Sequence, residues 1–148
     1  MSTPIWHNAN PPTPAQLTAL GAGNMGEWLG IAFTEIGPDY LKAQMPIDHR
    51  TTQPYGLLHG GASVVLAETV GSIASALCVD ISKYQCVGVE VNANHLRGGL
   101  KGYAIATCRP LRIGRTLHVW QIDIENQKGQ LLCTSRLTVA VIEKKYGE

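Results

Sequence analysis

From Gly60 to Val79 the chain runs for twenty residues, GGASVVLAETVGSIASALCV, with one charged side chain, Glu68, and the run is entered through His59-Gly60-Gly61. A segment this apolar has to be wrapped by the rest of the chain, and that requirement limits the fold more than any other feature. An ionised carboxylate held in low dielectric without partners costs several kcal/mol, so a helix carrying one either turns it to solvent or puts it to use. The run is long enough to cross a bilayer. However, seven of its twenty residues are Gly, Ser or Thr, and a carboxylate near the middle would cost about 2.5 to 3.5 kcal/mol there, so a buried helix is the better account. At about 100° per residue, Ala62, Leu66, Thr69, Val70, Ile73, Ala76 and Leu77 form one broad apolar stripe on a helix from Gly60 to Leu77. Ser63, Ala67, Gly71, Ala74 and Ser75 keep much of the remaining surface small, and Glu68 and Ser72 lie one turn apart on the flank of the stripe.

The chain has 148 residues, which fits one domain with one core over 1–148. It is 45% apolar and only 16% charged, a balance that suggests an oligomer. A net charge of +1 argues against nucleic acid or a membrane surface as a partner, because both call for a strongly one-signed face. The four cysteines show no C-x-x-C spacing, and the first residues lack a basic region followed by an apolar core. They are expected to be reduced, mostly buried thiols in a cytoplasmic protein. No histidine pair has metal-ligand spacing, so neither a metal nor any other cofactor is expected.

Around the central run the chain reads as alternating strands and turns. A Pro-rich, irregular lead-in over 1–12 precedes a short helix, for which Thr13 and Gln16 form a T-x-x-Q capping box, Pro14 takes the first helical position and Gly21 is the stop. Gly30 to Ile36 and Tyr40 to Ile47 read as a hairpin across Gly37-Pro38-Asp39. Four more strands are expected at Gln85 to His95, Gly102 to Leu111, Thr116 to Asn126 and Leu131 to Ile142, the last pair joined by a turn over Gln127-Lys128-Gly129-Gln130, with a tail over 143–148. The order predicts an α+β fold in which an antiparallel sheet wraps one long central helix.

Four residues have the chemistry of a hydrolytic site. Free N–H groups at the helix start, Gly60 among them, can polarise a carbonyl oxygen, helped by the positive end of the helix dipole. Glu68 can act as general base on water or as nucleophile. Gln53 can hydrogen-bond water or substrate, and His59 can orient the loop at the helix start. Eight residues separate Gly60 from Glu68, about 12 Å along a helix, whereas a donor and a base acting on one carbonyl each lie within about 3 Å of it. One chain cannot close such a site, so Glu68 of one subunit should meet Gly60 and His59 of another in a twofold dimer.

The stretch Gln53-Pro54-Tyr55-Gly56-Leu57-Leu58-His59-Gly60-Gly61 through Glu68-Thr69-Val70-Gly71-Ser72 resembles the signature of the hotdog-fold acyl-CoA thioesterases. The likeness is to the branch with a helix-borne acidic residue, which acts on aromatic acyl groups such as dihydroxynaphthoyl and hydroxybenzoyl. Val91-Asn92-Ala93-Asn94-His95-Leu96-Arg97, Val119-Trp120-Gln121-Ile122 and Ser135-Arg136-Leu137-Thr138 also resemble family segments. The resemblance implies hydrolysis of acyl-CoA thioesters, with CoA as part of the substrate, in homodimers or dimer-of-dimer homotetramers whose sites are shared between subunits. It implies Glu68 as base or nucleophile, the Gly60 amide as carbonyl donor, His59 and Gln53 as orienting residues, and Ser72 as a holder of water. His95 corresponds to a residue near the acyl pocket. Phe is common in the family where this chain has Tyr55, whose hydroxyl would alter pocket polarity. Arg97-Gly98-Gly99 replaces an Arg-Pro segment and should leave a looser loop.

Between Val91 and Ile122 there are five basic residues and no acidic one: Arg97, Lys101, Arg109, Arg112 and Arg115. They read either as a cleft edge for CoA phosphates or as a solvated sheet edge. Family position favours Arg97 and Arg115 as the phosphate pair. Two other functions fit the same fold, an acyl-thioester dehydratase or hydratase and a non-catalytic acyl-CoA binding module. The combination of Gln53, His59, Gly60 and Glu68 favours hydrolysis over both.

Overall fold

The computed structural model describes residues 3–145. Its elements are α1 (Pro14–Ala19), α2 (Met25–Trp28), β1 (Ala32–Ile36), β2 (Leu41–Pro46), α3 (Gly60–Leu77), β3 (Tyr84–His95), β4 (Tyr103–Ile113), β5 (Leu117–Glu125) and β6 (Leu131–Glu143). The capping box at α1 forms as the sequence indicates. The Gln16 amide donates to Thr13 Oγ1 at 3.3 Å, the Thr13 amide donates to Gln16 Oε1 at 2.8 Å, and the helix ends at Ala19 with Leu20 as its C-cap, just before Gly21. Sequence reading misses α2, whose four residues are too few for a helical period to show.

The six strands form one antiparallel sheet in the order β1-β2-β4-β5-β6-β3, and α3 packs across one face of it, touching β2 through β6. Inward residues alternate with outward ones, most regularly on β2 (Leu41, Ala43, Met45) and β5 (His118, Trp120, Ile122, Ile124). These meet Ala104, Ala106 and Cys108 of β4 and Leu137 and Val139 of β6 in the core under α3.

The face that α3 buries differs from the expected stripe. Ala62, Ser63, Leu66, Ala67, Val70, Gly71, Ala74 and Ser75 are buried, while Thr69, Ile73, Ala76 and Leu77 are only half-buried. The sheet side supplies the bulk, with Trp120, Ile122 and Leu137 fully buried, so the helix approaches with its small residues. A Cβ on Gly71 would lie 2.5 Å from Leu137 Cδ2. At the centre of this contact Ser75 Oγ receives the Trp120 indole N–H at 2.6 Å and lies 3.1 Å from His118 Nδ1. Burial holds the His118 imidazole below its ordinary pKa, with a hydrogen bond to the Gly114 carbonyl opposing this in part.

The lead-in is irregular, as expected, but anchored. The Ile5 amide donates to the Pro38 carbonyl at 2.9 Å and the His7 amide to the Leu77 carbonyl at 2.8 Å, while the buried Trp6 donates its indole N–H to the Gly37 carbonyl at 2.7 Å. It thereby ties the β1–β2 turn to the C-terminal end of α3. Of the tail, β6 takes Glu143, the Lys144 amide bonds the Lys83 carbonyl at 2.8 Å, and 146–148 lie outside the described residues.

The two edges of the sheet differ. β1 has α1 against it, with the Phe33 amide donating to Thr18 Oγ1 at 2.8 Å. β3, twelve residues long, has β6 on one side and no strand on the other. A bulge between Gly88 and Glu90 interrupts its pairing, and Val87 and Val89 are 40% and 62% exposed.

Candidate active site

A helix begins with four amide groups that have no partner in the helix. At α3, His59 deals with three of them. Its backbone is extended (φ −67°, ψ 129°), its Nδ1 accepts the Gly61 N–H at 2.8 Å, and its carbonyl accepts those of Ala62 and Ser63 at 3.0 and 3.2 Å. The fourth, the Gly60 N–H, has no protein acceptor among the described residues. The cap itself is fixed from behind, because the His59 amide donates to the carbonyl of buried Thr51 at 2.8 Å, and Thr51 Oγ1 donates to the Pro46 carbonyl at 2.7 Å. Next to Thr51, Arg50 and Asp48 form an ion pair at 2.7 Å that lowers the Asp48 carboxyl to about 2.

The free Gly60 amide opens on a cleft of about 410 Å³, which Gln53, Leu58, Ser63, His95, Arg97 and Leu132 also line. Gln53 uses its side-chain oxygen to accept the Tyr55 amide, which leaves its NH₂ group as the available donor. His95, at the end of β3, lies directly against Gly60: a Cβ there would be 2.8 Å from His95 Nε2. The structure therefore brings Gln53, Gly60, His95 and Arg97 to one cleft, with His59 as the cap that frees the Gly60 amide. Sequence reading overlooks Ser63. It lies one turn from Gly60 and is only 2% exposed, and its hydroxyl makes no hydrogen bond among the described residues. The i, i+3 spacing from Gly60 was the available signal.

Glu68 is two turns further along α3, half-buried and outside the lining of that cleft. Its carboxylate rests over Gly88 of edge strand β3, where a Cβ would lie 2.7 Å from Oε1. A glycine inside a strand run marks such a close approach. Ser72, one turn beyond, is half-buried and makes no side-chain hydrogen bond among the described residues. Within one protomer the Gly60 amide and the Glu68 carboxylate do not share a cleft.

The expectation of a loose Arg97-Gly98-Gly99 loop changes, and the remaining candidates take definite places within the protomer. Tyr55 is 91% exposed and outside the cleft lining, so within a protomer its hydroxyl faces solvent. The Gly98-Gly99 loop is close-packed, not loose: the Leu58 amide donates to the Gly99 carbonyl at 2.7 Å, and a Cβ on Gly99 would lie 3.0 Å from Leu58 Cβ. Arg97 and Arg115 do not meet within a protomer, since Arg115 borders a separate cleft at the C-terminal end of α3 beside Cys78, Tyr84 and His118. Arg109 pairs with Asp39 at 3.2 Å over the Tyr40 ring. Burial pushes the Cys78 thiol up to about 12 and raises those of Cys86, Cys108 and Cys133, which removes the cysteines as thiolate nucleophiles near neutral pH.

Residues 55–133 match the model of the family described as Thioesterase superfamily. The chain is 52% identical over 126 residues to 1,4-dihydroxy-2-naphthoyl-CoA hydrolase of Escherichia coli, covering 85% of this chain and 92% of that one. It is 47% identical over 127 residues to the proofreading thioesterase EntH of Cronobacter sakazakii, covering 85% and 91%. The crystal structure of a mutant thioesterase from Pseudomonas aeruginosa superposes with a TM-score of 0.92 at 50% identity, covering 95% of this chain and 99% of that one.

Proposed function

The chain belongs to the thioesterase superfamily, with its hotdog fold, and from that membership we infer an acyl-CoA thioester hydrolase that favours aromatic acyl groups and works in the cytoplasm as a dimer or dimer of dimers. The observation that carries the reading is the Gly60 amide, the one N–H at the start of α3 left without an acceptor among the described residues while His59 satisfies its neighbours. A thioester oxygen placed there receives a hydrogen bond and the positive end of the helix dipole.

Glu68 of the partner protomer takes a proton from water as the water oxygen attacks the carbonyl carbon. The C–S bond then breaks, and the proton passes to the departing CoA sulfur. Ser72, one turn from Glu68 and with no side-chain hydrogen bond among the described residues, helps hold the water, while Gln53 and His95 border the thioester. The open edge of β3 supports the shared site, because the unpaired strand lies directly beneath Glu68 and exposes Val87 and Val89. Dihydroxynaphthoyl thioesters are the favoured class, from the Escherichia coli relative named above, and hydroxybenzoyl thioesters follow from the resemblance of the sequence.

Mixing two inactive variants tests both the chemistry and the sharing. Glu68→Gln removes the base, with an expected loss in kcat of about 10²- to 10⁴-fold. His59→Ala removes the cap on the other side of the site. A mixed dimer of the two holds one intact site out of two, so random mixing restores about a quarter of wild-type activity. Activity near wild type in Glu68→Gln alone sinks the chemistry, and a mixture no more active than its components sinks the shared site.

A further inference from the structure

At the end of the sheet where α3 begins, a second cleft of about 270 Å³ adjoins the first and shares Arg97 and Gly98 with it. We propose that this second cleft, edged by Arg97, Lys101 and Lys128, binds the phosphates of the CoA nucleotide. The proposal deepens the thioesterase reading and rests on it for the identity of the ligand.

The charge pattern is the first support. No carboxylate lines the cleft, and none of its three cations forms an ion pair among the described residues. Elsewhere Lys42, Arg50, Lys83 and Arg109 are each paired with a carboxylate, and Arg112, Arg115 and Arg136, which form no ion pair among the described residues, do not share a cleft. In a chain of net charge +1, three unpaired cations around one concavity make a local anion site. The start of α3 adds the positive end of its dipole on the same side.

The second support is construction. Lys101 precedes β4 and Lys128 sits on the β5–β6 turn, so they come from separate parts of the chain. That turn is braced internally: Asn126 Oδ1 accepts the amides of Lys128 and Gln130, each at 3.0 Å, and Asn126 Nδ2 donates to Gln130 Oε1 at 2.9 Å. The side chains of Gln127 and Gln130 face the same cleft and suit ribose or phosphate oxygens. Phosphates are the only strongly anionic part of an acyl-CoA, and Lys and Arg are their usual partners. Continuity through Arg97 lets one ligand extend from the Gly60 amide into this cleft. The site replaces Arg115 with Lys101 and Lys128 as the partners of Arg97.

The test compares wild type with Lys101→Ala/Lys128→Ala on one aroyl group carried by CoA, by pantetheine and by acyl-carrier protein, together with calorimetric titration of adenosine 3′,5′-bisphosphate. Both lysines are exposed, so the double variant keeps its core. KM for the CoA ester should rise on the order of tenfold and lose its salt dependence. KM for the pantetheine ester should stay within about twofold, and binding of the bisphosphate should disappear. An unchanged KM for the CoA ester, equal losses on CoA and pantetheine esters, or a loss confined to the carrier-protein substrate would overturn the subsite. A wild-type protein that cleaves no thioester yet binds the bisphosphate through these lysines overturns the activity and leaves the subsite standing.

Discussion

The carboxylate of Glu68 occupies space that a side chain on residue 88 would fill, since a methyl group there would sit 2.7 Å from Oε1. Gly88→Ala therefore displaces the carboxylate, and because Glu68 is half-buried it can turn away without disturbing the core. A displacement on the order of 1 Å costs about 10²-fold in rate. The expected result is a fall of that size in kcat with KM little changed and the thermal midpoint within a few degrees of wild type. A kcat within twofold of wild type would show that Gly88 does not position the base. The position of Glu68 away from Gly60 and its cap His59 was legible in sequence, because helix spacing sets it, and residue type marks these three and Gln53 as candidates. Gly88 was not legible, because it matters through Glu68 on another element, a neighbour that only packing supplies, whereas Ser63 was within reach of its spacing from Gly60.

Two elements depend on α3 in ways that stability measurements can read. His59→Ala removes the acceptor of the Gly61 amide and should cost about 0.5 to 2 kcal/mol in chemical denaturation, most of it recovered in His59→Asn, since Asn is a strong cap residue. No recovery in the Asn variant would mean that the cap bond is not the source of the loss. Between α3 and β5, His118 is buried with its pKa depressed from 6.5 by burial, so the folded state takes up its proton less readily than the unfolded chain. Its contribution is complete above about 6.5 and declines as pH falls through that value towards the lower folded one. Denaturation midpoints at pH 7.5 and 5 should show the decline, and His118→Gln should flatten it. An equal decline in that variant would place the sensitivity elsewhere. The helix bounds were legible from the nearly uncharged run entered at His59-Gly60-Gly61, but its buried face was not, because both a large-residue stripe and a small-residue stripe follow the same period.

At the scale of the molecule, the two edges of the sheet differ in what they offer to a partner protomer. β1 is covered by α1, whereas β3 is long and carries exposed Val87 and Val89 beside the strand position that supports Glu68. Val89→Lys puts a charge on that edge without touching the core, since Val89 is 62% exposed. If the proposed site is shared between protomers, light scattering should find a folded monomer and assay should find it inactive. A fully active monomer would end the shared-site account.

The wrapped helix, the strands with their turns, the capping box and the separation of Gly60 from Glu68 all follow from the order of residues, because each is set by neighbours a few positions apart or by the rise of a helix. Tertiary structure decided the rest. It turned the small face of α3 to the sheet, laid His95 against Gly60, closed the Gly98-Gly99 loop, and put Lys101 and Lys128, not Arg115, beside Arg97. These outcomes depend on strand order and register, which join residues distant in the chain and leave no periodic trace in it.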